Sequence, residues 1–153
     1  MKLSLYGVIR FILSSFIISI RYLSSLIITT TLIGLLIITF SLFRYFDLKK
    51  IIALSSIIHL NTGLISLFSL STIGLISTIT ISLSHSLSSI ALFLFTGLII
   101  NKSSSRYIES INFISFTLRV LLLFILLSNL SFPGSINFIS ELSTIIALYS
   151  IDY

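Results

Sequence analysis

The chain has no cysteine, no tryptophan and a single proline in 153 residues, and only 8% of its positions are charged. Without cysteine there is no disulfide, and no iron–sulfur cluster can be held by thiolates of this chain. A phosphate-binding Gly-rich loop is absent, as are Cys/His metal spacing and any Ser-His-Asp constellation on a soluble scaffold. The six glycines (Gly7, Gly34, Gly63, Gly74, Gly97, Gly134) do not cluster. No internal repeat stands out. No cleavable presequence is recognisable either: the first residues lead directly into an apolar segment, with no small-residue cleavage site after a short core. The net charge of +5 does not indicate nucleic acid, because the basic residues sit at segment ends, where they orient helices.

What is present is apolar. The chain is 56% hydrophobic, with a mean hydropathy of +1.22, far above that of a soluble domain. Leu23–Phe43, Ile51–Leu70, Leu75–Ile100 and Ile111–Phe132 are long and mostly apolar. About 20 helical residues cross a hydrocarbon core of ~30 Å. Barrel strands would alternate apolar and polar residues, and these runs do not. The sequence therefore predicts an all-α, polytopic transmembrane bundle of five to six helices, forming one membrane domain over 1–153. Helix one is expected over Leu3–Ile20, closed by Arg21 and Tyr22, and helix two over Leu23–Phe43. The loop Arg44–Lys50 follows, then helix three (Ile51–Leu70), a turn at Ser71–Gly74 and helix four (Leu75–Ile100). Asn101–Ser110 is a polar loop, and helix five runs to about Leu130. Pro133-Gly134 interrupts the pattern. The stretch Ile136–Ile151, 16 residues, is short for a span and is expected to be the second half of a discontinuous helix.

The basic loops set the orientation. Arg44, Lys49 and Lys50 are expected on one side, and Lys102 and Arg106, two crossings later, on the same side. The positive-inside rule makes that side cytoplasmic or matrix. Broken backbone at membrane depth survives only where protein or a wet cavity surrounds it, and such discontinuous helices build ion sites. The abundance of Ile, Phe, Ser and Tyr suits an AT-rich organellar genome.

Against this background three ionisable residues stand inside apolar segments: His59, His85 and Glu141. Burying such groups costs several kcal/mol unless they are paired or neutral. Helical spacing makes the pattern sharper. Ser55, His59, Thr62, Ser66 and Ser69 share one face of helix three. Thr78, Ser82, His85, Ser89 and Thr96 share one face of helix four. Each helix thus has a polar stripe with a histidine near its middle. The hydroxyls alone read as helix–helix packing. The histidines, which exchange protons near neutral pH, point to a proton relay. Glu141 follows the Pro-Gly break, with Asn137 and Thr144 a turn away on its face. A structural role for it would require a cation partner, and Arg119 is a candidate by depth. Lys2 is a further intramembrane cation candidate, or else an exposed terminus.

Several segments carry a resemblance. Lys2-Leu3-Ser4-Leu5-Tyr6-Gly7-Val8-Ile9-Arg10-Phe11 resembles a K-L-G-x-Y-G-x-x-R-F segment. Asp47-Leu48-Lys49-Lys50-Ile51-Ile52-Ala53-Leu54-Ser55-Ser56-Ile57-Ile58-His59-Leu60-Asn61 resembles D-L-K-K-I-I-A-Y-S-S-V-A-H-M-N. Ser84-His85-Ser86-Leu87-Ser88-Ser89 is similar to S-H-G-L-x-S-S. Ser128-Asn129-Leu130-Ser131-Phe132-Pro133-Gly134 with Ser140-Glu141 is similar to A-N-x-S-x-P-G with G-E. In order and spacing these resemble the antiporter-like membrane subunits of respiratory complex I, and among them chain 4, since chains 2 and 5 usually carry Lys at the position of Glu141. Ser4, Ser86 and Ser140 stand where the family has glycine, and Leu54 where it commonly has tyrosine.

The resemblance implies helices eight to twelve of a subunit of about fourteen, so a split or truncated subunit is expected, with another chain supplying the N-terminal helices. It implies a segment of a proton-translocating NADH:ubiquinone oxidoreductase in the mitochondrial inner membrane, a multi-pass chain among lipids and other membrane-arm subunits. Lys2, His59, His85 and Glu141 would form a midplane proton relay. NADH, FMN, iron–sulfur clusters and ubiquinone would be bound by other subunits, and no cofactor or metal by this chain. Two other readings are a scaffold of the membrane arm that no longer pumps, and a cation/proton antiporter subunit of the same superfamily.

Overall fold

In lipid a backbone must satisfy its own hydrogen bonds, and apolar runs without breakers do so by coiling. A computed structural model describes residues 2–14, 17–113 and 115–150. Its helices are α1 (Lys2–Ser14), α2 (Ile17–Leu42), α3 (Leu48–Phe68), α4 (Thr72–Ser103), α5 (Phe116–Asn129) and α6 (Ile136–Tyr149), with a 3-10 helix over Ile108–Phe113 before α5. No strand forms among the described residues. The fold is the expected helical bundle. Three helices contain segments long and apolar enough to cross a membrane: Tyr22–Leu42, Leu48–Phe68 and Thr72–Ser103. The helices flanking Pro133-Gly134, α5 and α6, have 14 residues each, about 21 Å, and neither alone matches the ~30 Å core.

Several boundaries move. Arg21 and Tyr22 do not close a helix: both lie inside α2. Arginine is a good helix former, so the charge marks the edge of the apolar span and not the end of the helix. Leu48–Lys50, expected in a loop, are the first turn of α3, where Lys50 reaches back to Asp47 at 3.1 Å. Ser71 caps α4 by accepting from the Gly74 amide at 2.9 Å, so Gly74 belongs to the helix and not to the turn. In contrast, α5 starts later than expected, after the 3-10 helix and Ser115. Of the final stretch, Ile151 lies outside the described residues.

The two basic loops meet. The Leu48 amide donates to the Arg106 carbonyl at 3.1 Å, and the Ile108 amide to that of Phe46 at 3.1 Å. The loop before α3 and the loop after α4 therefore share one side, as their charges predicted. Beneath them Ile52, Leu92, Ile99 and Leu122 form a buried cluster joining α3, α4 and α5.

The central element is α4, which packs against α3, α5 and α6. Its buried face is built from small and polar residues, including Gly74, Ser77, Thr78, Ser84 and Ser88. Small side chains let helices approach closely in a membrane, where apolar burial supplies no drive. At Gly74 the approach is closest: a Cβ there would overlap the Ser66 carbonyl oxygen and Ser69 Oγ. At the other extreme, no residue of Tyr22–Leu42 is buried.

Candidate functional site

Every hydroxyl of the two polar stripes donates to a carbonyl one turn earlier in its own helix. On α3 these are Ser55, Thr62, Ser66 and Ser69. On α4 they are Thr78, Ser82, Ser89 and Thr96. Back-bonding of this kind makes hydroxyls tolerable in lipid. The stripes thus reduce to their two histidines.

These meet face to face. The rings of His59 and His85 stack with centroids 4.7 Å apart and planes 30° apart. His59 also faces α6, its Nδ1 3.6 Å from Glu141 Oε1. Three residues separated by up to 82 positions (141 − 59) therefore occupy one site. His85 is the innermost at 2% exposure, while the side chains of His59 and Glu141 are 12% and 38% exposed. Leu5 of α1 is buried beside Gly63 and lines the same spot as His59 and His85. Lys2 opens α1, three residues before Leu5, and its side chain lies outside the described residues.

The helix break positions Glu141. Beyond α5 the chain turns back with Ser131 at φ +55°, and the Phe132 amide donates to the Leu127 carbonyl at 3.1 Å. This is the turn that usually ends on a left-handed glycine. Serine there costs about 1 kcal/mol more. Leu70 and Ser104 occupy similar conformations after α3 and α4. The Ser131 hydroxyl donates to Glu141 Oε1 at 2.5 Å. The Asn137 amide donates to the Ser128 carbonyl at 2.8 Å, tying α6 to the frayed end of α5, and Ser88 of α4 donates to Asn129 Oδ1 at 3.2 Å. Ser135 caps α6 by accepting from the Phe138 amide. Glu141 is thus paired with His59 and Ser131, while Arg119 stands on an exposed part of α5.

Sequence reasoning gives Ser131 no role: it enters only as the serine of the segment that resembles A-N-x-S-x-P-G, and a left-handed serine has no signature in composition or period. The turn also explains a cavity of about 410 Å³ lined by His59, Asn129, Ser131 and Glu141, together with apolar residues such as Leu42, Ile51 and Leu126. It reaches from the site toward the first turn of α3, next to the basic loops. Its size is that of a small-molecule or water-filled cleft. Among the described residues no three His, Cys, Asp or Glu converge to hold a metal.

Glu141, His59 and His85 thus stand side by side at the Pro-Gly helix break. All of residues 1–153 match the family model described as NADH:quinone oxidoreductase/Mrp antiporter, transmembrane. The chain belongs to this family. Its relatives within the NADH:quinone oxidoreductase/Mrp antiporter family include NADH-ubiquinone oxidoreductase chain 4 of Marchantia polymorpha, 34% identical over 97% of this chain and 31% of that protein. The same protein of Myxine glutinosa is 36% identical over 97% of this chain and 33% of its own length. That of Chondrus crispus is 33% identical over 99% of this chain and 32% of its own length. The chain thus spans about a third of the length of these relatives.

Proposed function

We propose that the chain is a proton-relaying segment of the chain 4 subunit in the membrane arm of respiratory complex I, in the mitochondrial inner membrane. The observation that carries this reading is the contact of His59 Nδ1 with Glu141 Oε1 at 3.6 Å, backed by the stacked ring of His85.

The geometry limits how the relay works. A proton leaves an imidazole in the plane of the ring, so His59 and His85 cannot pass one through their stacked faces. Transfer between them requires a ring rotation or a bridging water. Two unit charges 4.7 Å apart repel by about 3.5 kcal/mol at an effective dielectric of about 20. The pair therefore carries at most one proton charge, and Glu141 is its counterion. When a protonated His59 closes on Glu141, its Nδ1–H bond breaks as a bond to Oε1 forms. Two charges vanish together, which suits a low-dielectric setting. The carboxyl then releases the proton toward the cavity, or the step runs in reverse.

Lys2 enters the relay through the family pattern alone. The missing helices would come from another chain or from a longer form of this one, and other membrane-arm subunits and lipids would surround them. NADH oxidation, FMN, the iron–sulfur clusters and ubiquinone would belong to other subunits. The scaffold alternative predicts the two histidines in separate dry pockets; they stack on each other, and His59 lines the cavity. The antiporter alternative is less favoured because the relatives are oxidoreductase chains.

The test is Glu141→Gln in the assembled complex. The proton-to-electron ratio should fall while the amount of complex stays near normal. An unchanged ratio removes Glu141 from the relay.

A further inference from the structure

Glu141 Oε1 is shared. It faces His59 Nδ1 at 3.6 Å, outside hydrogen-bond reach, and accepts from Ser131 Oγ at 2.5 Å. The competitor is presented by a left-handed residue, φ +55°, in a turn whose usual occupant is glycine. The turn itself is held by the Asn137–Ser128 and Phe132–Leu127 hydrogen bonds. Ser131 also lines the cavity together with His59 and Glu141, so its hydroxyl can turn toward that space without moving backbone.

We propose that Ser131 is the positioning residue of the relay: its hydroxyl holds Glu141 Oε1 facing His59 but beyond hydrogen-bond reach, and the link closes when the hydroxyl releases. The hydroxyl thus acts as a latch on the histidine–carboxylate step. The proposal rests on the relay reading above. It adds a residue that works through its hydrogen bond to Glu141. In the latched state the carboxylate keeps a strong donor while His59 is neutral. On release the hydroxyl rotates into the cavity, and Oε1 is free to take the proton of His59. No bond of Ser131 is made or broken.

The test compares Ser131→Gly, Ser131→Ala and Ser131→Asn in the assembled complex, read as NADH-driven proton translocation per complex. Glycine suits the left-handed turn and removes the whole hydroxymethyl group, so this variant keeps the fold, and alanine removes the hydroxyl alone. Asparagine also tolerates the turn and restores a donor. Without the hydroxyl nothing holds the Glu141 carboxyl facing His59 between transfers, so translocation is expected to fall by about tenfold in both Gly and Ala, with most of it recovered in Asn. Glu141→Gln is measured alongside. If Glu141→Gln impairs translocation and Ser131→Gly does not, the latch is wrong and the relay stands. If Glu141→Gln has no effect, the relay itself fails. Equal impairment of Gly, Ala and Asn would also overturn the latch, since a structural fault of the turn would then suffice.

Discussion

The imidazoles of His59 and His85 stack 4.7 Å apart, although 26 residues (85 − 59) and a helix turn separate them in the chain. The contact follows from the close approach of α3 and α4, which small and back-bonded side chains permit.

His85→Gln keeps a polar side chain of similar size and removes the second ring. If the pair works as a unit, NADH-driven proton translocation should fall by about a hundredfold per assembled complex. Blue-native quantification of the complex separates this from loss of assembly. Translocation within a factor of two of wild type would show that His59 needs no partner.

Gly74→Ala tests the packing that brings the histidines together. Its Cβ would overlap the Ser66 carbonyl oxygen and Ser69 Oγ, backbone and side chain at the end of α3. Overpacking of this kind costs about 1–3 kcal/mol. Gly97→Ala is the control: nothing lies within 4 Å of its added Cβ, and helix propensity favours alanine by up to about 1 kcal/mol. Thermal dissociation of the detergent-solubilised complex should separate the two variants, with Gly74→Ala melting lower and Gly97→Ala at or above wild type.

Much of this was legible in the sequence because a bilayer leaves few choices. Apolar length marked α3 and α4, and the charges of Arg44, Lys49, Lys50, Lys102 and Arg106 placed their loops on one side, where Leu48 and Arg106 are found hydrogen-bonded. Helical period put His59 and His85 each on a polar face. Helix ends were less legible. Arg21 and Tyr22 looked like a terminus because charge and helix end often coincide, yet α2 runs through them. Ile111–Phe113 looked like the start of a long helix, but α5 begins only at Phe116. The site's finer chemistry was not legible. Ser131 acts through a left-handed turn, and Asn137 through a carbonyl nine residues earlier. Neither relation follows from spacing along one helix.

The central claim is that His59 and Glu141 act in one step. The most direct measurement is a double-mutant cycle on proton translocation by the assembled complex, using His59→Gln, Glu141→Gln and both together. Residues that work as a unit are strongly non-additive. The double variant should therefore be no slower than the slower single variant. If the two losses instead multiply, His59 and Glu141 serve separate steps, and their 3.6 Å approach is packing alone.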